Sequence, residues 1–92
     1  MLSLGKVIAT IGIKNLIKEK VISMKDIINI LHRHSNYDFG DLSEADKELQ
    51  NNNIKNNIDD RIMSVYNIND YTLWIITEWN RSYTTILLPE EY

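Results

Sequence analysis

The stretch RIMSVYNINDYTLWIITEWNRSYTTILL, residues 61–88, says most about the architecture of this chain. It breaks into three runs, 61–66, 71–79 and 82–88, rich in β-branched and aromatic residues and separated by Asn67-Ile68-Asn69-Asp70 and by Asn80-Arg81. Connections this short join antiparallel neighbours, because a parallel crossover consumes about a dozen residues. A three-stranded antiparallel meander is therefore predicted, stopped by Pro89, which has no amide to donate to a ladder. Along the middle run Tyr71, Leu73, Ile75, Thr77 and Trp79 alternate with Thr72, Trp74, Ile76 and Glu78, so the two sets look to opposite sides of the sheet. Neither set is polar. Helices are expected to cover one side, and the N-terminal segment, a second copy of the chain or a partner the other.

Upstream of the sheet the period changes from two to that of a helix. Ile13, Leu16, Ile17 and Val21 make one apolar stripe. Ser23 followed by Asp26 is a capping-box pattern, and Met24, Ile27, Ile28 and Leu31 form the expected buried face of the helix it opens. The polar stretch between His32 and Leu42 predicts an ordered loop held by Tyr37 and Phe39. Ser43 and Asp46 repeat the capping pattern for a third helix with Ala45 and Leu49 on one side, whose asparagine-rich tail, 51–57, is expected to fray. Ahead of all of these, residues 4–10 read as a short strand closed by Gly12. The expected fold is a single α+β domain over 1–92: two or three helices on a C-terminal three-stranded antiparallel sheet, with an N-terminal strand as a possible addition.

Composition bounds the function. Of the 92 residues 43% are hydrophobic and 25% charged, which places the chain among folded soluble domains. Cysteine is absent, which excludes disulfides, thiolate metal sites and cysteine nucleophiles and fits a reducing, cytoplasmic setting. No apolar run approaches the length of a membrane span, and Lys6 sits inside the apolar N-terminal stretch instead of ahead of it, so neither membrane insertion nor a secretory signal is expected. The net charge of −3 is unevenly spread: residues 1–34 hold six Lys and Arg against Glu19 and Asp26, whereas residues 35–92 hold four against eleven Asp and Glu. Such a dipole can steer a charged partner.

Four constellations could carry chemistry. His32 and His34 invite a metal, with Asp38 and Asp41 completing a hydrolase-like set, but residues two apart on a helix point to different faces, and two histidines near a helix C-terminus favour its dipole without any metal. Asp38, Asp41, Glu44, Asp46 and Glu48 form the densest acidic stretch. They lack the order of a calcium loop and are expected to cap a helix or offer an acidic docking surface. Lys14, Lys18, Lys20, Lys25 and Arg33 could meet nucleic acid, weakly given the overall negative charge. Trp74 and Tyr83 stand among the aromatics of the sheet and mark candidate protein contacts on any face left open. Gly5, Gly12 and Gly40 make no phosphate loop, and Glu78 with Arg81 reads as a surface ion pair. Neither a cofactor nor a metal is expected.

The segments DFGDLSEADK (38–47) and LWIITEWNRSYTTILLPEEY (73–92), with LGKVIAT (4–10) and SVY (64–66), resemble a family of small bacterial plasmid- and phage-associated proteins labelled "plasmid-related protein" or "type I restriction endonuclease subunit M". The family pattern has Thr-Glu-Ala-Asp-Arg-Ser where this chain has Thr77 to Ser82, and Pro-Gly where it has Ile11-Gly12. A methyltransferase subunit needs a cofactor domain several times this length and a glycine-rich loop, so the restriction label does not describe an activity. What the resemblance implies is residence on mobile elements, whose small proteins often inhibit host defence, as anti-CRISPR or anti-restriction proteins do. The expected function is non-enzymatic protein binding of that kind. The alternative is a nucleic-acid-associated accessory protein that binds through the basic N-terminal helices, and self-association is possible in either case.

Overall fold

A computed structural model describes residues 1–92. The elements run β1 (Lys6–Ala9), α1 (Ile11–Lys18), α2 (Met24–Ser35), α3 (Glu44–Lys55), β2 (Ile62–Ile68), β3 (Tyr71–Thr77) and β4 (Tyr83–Leu87), followed by a 3-10 turn at Pro89–Glu91. The meander forms, with Ser64 opposite Ile75 and Ile75 opposite Ile86. The sheet is larger than three strands and is not purely antiparallel. Its order is β1-β4-β3-β2, and β1 runs parallel to β4, with Val7 beside Thr84 and Ala9 beside Ile86. The chain is α+β with three helices and a four-stranded mixed sheet. Residue patterning marked the N-terminal strand but named no neighbour for it, since four residues of period two fit either strand direction.

One face of the sheet carries Tyr66, Leu73, Ile75 and Ile86, which meet Ile13 and Leu16 of α1, Ile22, and Ile27 and Ile30 of α2 in the main core. A smaller cluster of Leu2, Phe39, Leu42 and Ile62 seats the N-terminal segment and the loop after α2 against the start of β2. Full burial of a side chain of this size stabilises by about 1.5–3 kcal/mol. The predicted capping box is present in both directions, Asp26 N–H to Ser23 Oγ at 3.1 Å and Ser23 N–H to Asp26 Oδ2 at 3.0 Å.

The buried face of α2 is rotated from the expected one. Ile27, Ile30 and His34 point inward, while Met24 and Ile28 are 56% and 62% exposed. A histidine takes a core position because its two ring nitrogens find partners there. α2 also runs to Ser35, so the loop is shorter than expected: Phe39 is buried in it, but Tyr37 is exposed and held at φ +65°. α3 does not fray at its asparagines and continues to Lys55. It buries no residue, Leu49 is exposed, and of its capping pair only Ser43 acts, accepting from Asp46 N–H at 3.2 Å.

The two edges of the sheet are treated differently. At β2 the outward groups of Met63 are taken by the Gln50 amide of α3, at 2.7 Å to its N–H and 3.0 Å to its C=O. The next outward pair, on Val65, is taken by Phe39 C=O and Asp41 N–H at 3.1 and 2.7 Å. Gly40 makes this approach possible, since it sits at φ +64° and a Cβ there would collide with the Val65 carbonyl. At β1, Lys6 and Thr10 N–H reach Ser82 and Ile86 C=O of the β4 strand and its lead-in, so the alternate residues Val7 and Ala9 turn their N–H and C=O outward.

Candidate interaction surface

The face opposite α1 and α2 follows from strand parity: Lys6 and Ile8 of β1, Tyr83, Thr85 and Leu87 of β4, Trp74 and Ile76 of β3, and Met63 and Val65 of β2. The C-terminal turn folds back on this far face. Glu91 anchors it: its carboxylate accepts from Thr10 Oγ1 at 2.6 Å, Leu88 N–H at 2.8 Å and Gly12 N–H at 2.9 Å, the last in the first turn of α1. Burial raises the Glu91 carboxyl, but these three bonds outweigh it and hold the group below the usual carboxylate range. Tyr92 then lies edge-on to Trp74 at 5.6 Å between ring centroids. Arg61 stacks over the Tyr92 ring at 5.4 Å, donates to its hydroxyl at 2.9 Å and stands 3.9 Å from Glu78.

These groups surround a cleft lined by Arg61, Glu78, Tyr83, Thr85, Glu91 and Tyr92 among others. Tyr83 and Tyr92 remain 40% and 68% exposed in its wall, and Ile8, beside Thr85 on the same face, is 39% exposed. Trp74, expected as a contact, is half-buried beneath Tyr92, whereas Tyr83 is open. Tyr92, Arg61 and Ile8 were not singled out from sequence. Period two alone places Ile8 beside Thr85, on the face that carries Tyr83, once β1 is known to pair with β4, but nothing in the sequence signals that the C-terminus folds back.

The five acidic residues do not form one open cluster. Asp38 pairs with Arg33 at 2.7 Å and accepts from Gly40 N–H; the hydrogen bond to Arg33 holds its carboxyl low, and Arg33 is raised in turn. Asp41 accepts from Asn67 of β2 at 2.6 Å, and Glu44 from Lys47 at 3.3 Å. Asp38 and Asp41 thus belong to the seal on the β2 edge, and Asp46 and Glu48 are exposed on α3. Lys14 and Lys18 are exposed on α1, Lys20 in the turn after it and Lys25 at the start of α2, but Arg33 is committed to Asp38 and stacks on Tyr66 at 4.8 Å. Glu78 pairs with Arg61 and not with Arg81, whose guanidinium donates to the carbonyls of Asp60 and Glu78.

His32 and His34 diverge. His32 is exposed beside Asn36, while His34 is fully buried, its Nδ1 2.5 Å from Ser64 Oγ and its Nε2 2.9 Å from Thr77 Oγ1. Thr77 Oγ1 lies 2.8 Å from Thr84 Oγ1, which donates to Leu4 C=O at 2.6 Å. A carbonyl only accepts, so with a neutral imidazole every proton in this chain is assigned. Thr84 donates to Leu4, Thr77 to Thr84, His34 Nε2–H to Thr77, and Ser64 to His34 Nδ1. Burial pushes His34 down to about 4, so the ring is neutral and the dipole of α2 is not what keeps it there. Both nitrogens are spent inside the protein, and no group of three His, Asp or Glu side chains converges as a metal site would require. No helix is long and apolar enough to cross a membrane.

No protein-family model matches the chain, and neither a curated protein nor a solved structure matches it.

Proposed function

We propose that this domain is a non-enzymatic protein-binding module that docks its partner on the far face of the sheet. The observation that carries this reading is the cluster of Tyr83, Tyr92 and Arg61 around an open cleft, with Ile8 exposed on the same face. Tyrosine, tryptophan and arginine are the residues that supply most of the energy at protein interfaces. Here the Trp74–Tyr92–Arg61 stack holds them in place, so little side-chain freedom is lost on binding. The acidic residues Asp46 and Glu48, exposed on α3, would add steering toward a basic partner.

For the identity of the partner, support comes from the resemblance of residues 38–47 and 73–92 to small plasmid- and phage-associated proteins. The target proposed on that basis is a host defence nuclease complex, in the manner of an anti-CRISPR or anti-restriction protein acting in the cytoplasm. Phage plaquing on hosts that carry a CRISPR or a restriction system, with and without the expressed chain, tests it. Plaquing restored by the wild type and lost with Tyr83→Ala or Tyr92→Ala at equal protein level is the expected result, and no restoration in any system would overturn the target. The second reading, nucleic acid held by Lys14, Lys18, Lys20 and Lys25, is favoured by their exposure along α1, the turn after it and the start of α2. Tight binding to a DNA or RNA fragment with a steep loss as salt rises would put it first.

A further inference from the structure

We propose that the open edge of β1 pairs with β1 of a second copy, joining two four-stranded sheets into one of eight strands. The outward groups are the N–H and C=O of Val7 and Ala9, one residue on either side of Ile8. A two-fold axis at Ile8 puts Val7 opposite Ala9 of the partner copy and Ala9 opposite its Val7. In an antiparallel ladder each such pair exchanges two hydrogen bonds, and the four outward groups of each strand are all satisfied.

Side chains select this occupant over an arbitrary strand. In that register Ile8 meets its own copy on the far face, where both are exposed. Lys6 stands opposite Thr10, whose hydroxyl is bonded to the Glu91 carboxylate. The Lys6 ammonium makes no ion pair within its own chain. Across the axis it reaches a carboxylate held ionised by its hydrogen bonds, and symmetry makes the contact twice. Gly5, which has no side chain, falls opposite Ile11, the exposed first residue of α1. The two Lys6 residues are kept apart, since each is paired with Thr10 and not with its counterpart. The β2 edge offers no comparable run of two free pairs, because Gln50, Phe39 and Asp41 already fill it at Met63 and Val65. The pairing does not rest on what the far face binds, but it covers Ile8 and leaves Tyr83, Tyr92 and Arg61 to that partner.

Sedimentation equilibrium from micromolar to millimolar protein tests the proposal. The mass should rise from 10.8 kDa toward twice that value with concentration. Lys6→Glu sets like charges against Glu91 and should weaken association by at least about tenfold. Val7→Pro removes an outward donor without touching the β4 ladder and should leave a monomer with a near-native melting temperature. If Val7→Pro fails to fold, hydrogen exchange on the wild type decides: Val7 and Ala9 amides should exchange more slowly as concentration rises, while those of Lys6 and Ile8 do not change. A wild type that stays at 10.8 kDa at millimolar concentration would overturn the proposal and leave the edge to a strand from another protein. A dimer that Lys6→Glu leaves intact, with unchanged exchange at Val7, would overturn it too.

Discussion

The two edge strands of this sheet are solved in opposite ways. β2 is seven residues long, and its outward groups at Met63 and Val65 are filled by a side-chain amide from α3 and by the backbone on either side of Gly40. β1 is four residues long and nothing in the chain fills it. Natural sheets protect an edge either by covering it or by keeping it short and charged. The long strand is covered. The short one carries a lysine at its start and exposed Val7 and Ile8 after it, which is partial protection only. An edge left this way within a chain that seals its other edge so thoroughly points to use.

The two edges are joined by the buried polar chain, which starts at Ser64 on β2, passes through His34, Thr77 and Thr84, and ends on Leu4 just ahead of β1.

The sharpest way to break the contrast is Gly40→Ala. The alanine meets the Val65 carbonyl at a positive φ and undoes the seal, so a loss of about 3–4 kcal/mol is expected from the strain and the two lost bonds, measured by denaturant unfolding.

Acid should come next. His34 has a folded value of about 4 against 6.5 for the free side chain, so between those values the unfolded chain binds the proton and the folded one does not. Stability is therefore full above pH 6.5 and falls as pH drops toward 4, by about 3 kcal/mol at most. Unfolding curves across that range should be steeper in pH for the wild type than for His34→Gln. Equal slopes would mean that the ring is not neutral and buried in solution.

Gln50→Ala opens one step of the sealed edge and removes the main tie of α3 to the sheet. A loss of about 1–2 kcal/mol is expected, with light scattering rising at high concentration as Met63 becomes able to pair with another strand. The smallest effect belongs to the open edge. Val7→Thr keeps the backbone and the β propensity and should shift monomer stability by under about 0.5 kcal/mol.

What could be read from sequence was local. Short polar connections fixed the meander, and Ser23 with Asp26 fixed the start of α2, because each signal lies within a few residues of its effect. The parallel β1–β4 pairing joins residues far apart in the chain, and no short pattern encodes such a partner. His34 was misread for a related reason: its burial depends on hydroxyls from β2 and β3, so a polar residue two places from His32 gave no hint of it. The same cause displaced Met24 and Ile28 outward, since a core position went to His34 and turned the helix. The asparagines of α3 have weak propensity, yet Gln50 clamps the helix to β2 from its middle. Of the candidate surface, Trp74 and Tyr83 were legible by alternation. Tyr92 and Arg61 were not, because their placement follows from the carboxylate of Glu91 reaching back to Thr10.

That carboxylate also bears on when the fold can form. Thr10 and Glu91 are 81 residues apart in sequence, and β1 finds its ladder only in β4. During synthesis the first strand and the first turn of α1 leave the ribosome with neither partner made, and they wait until almost the whole domain has emerged. Closure of the sheet is thus a late, long-range event, slow compared with helix formation. Until it happens Val7 and Ile8 are exposed on a nascent chain, where neighbouring chains on one messenger are close at hand.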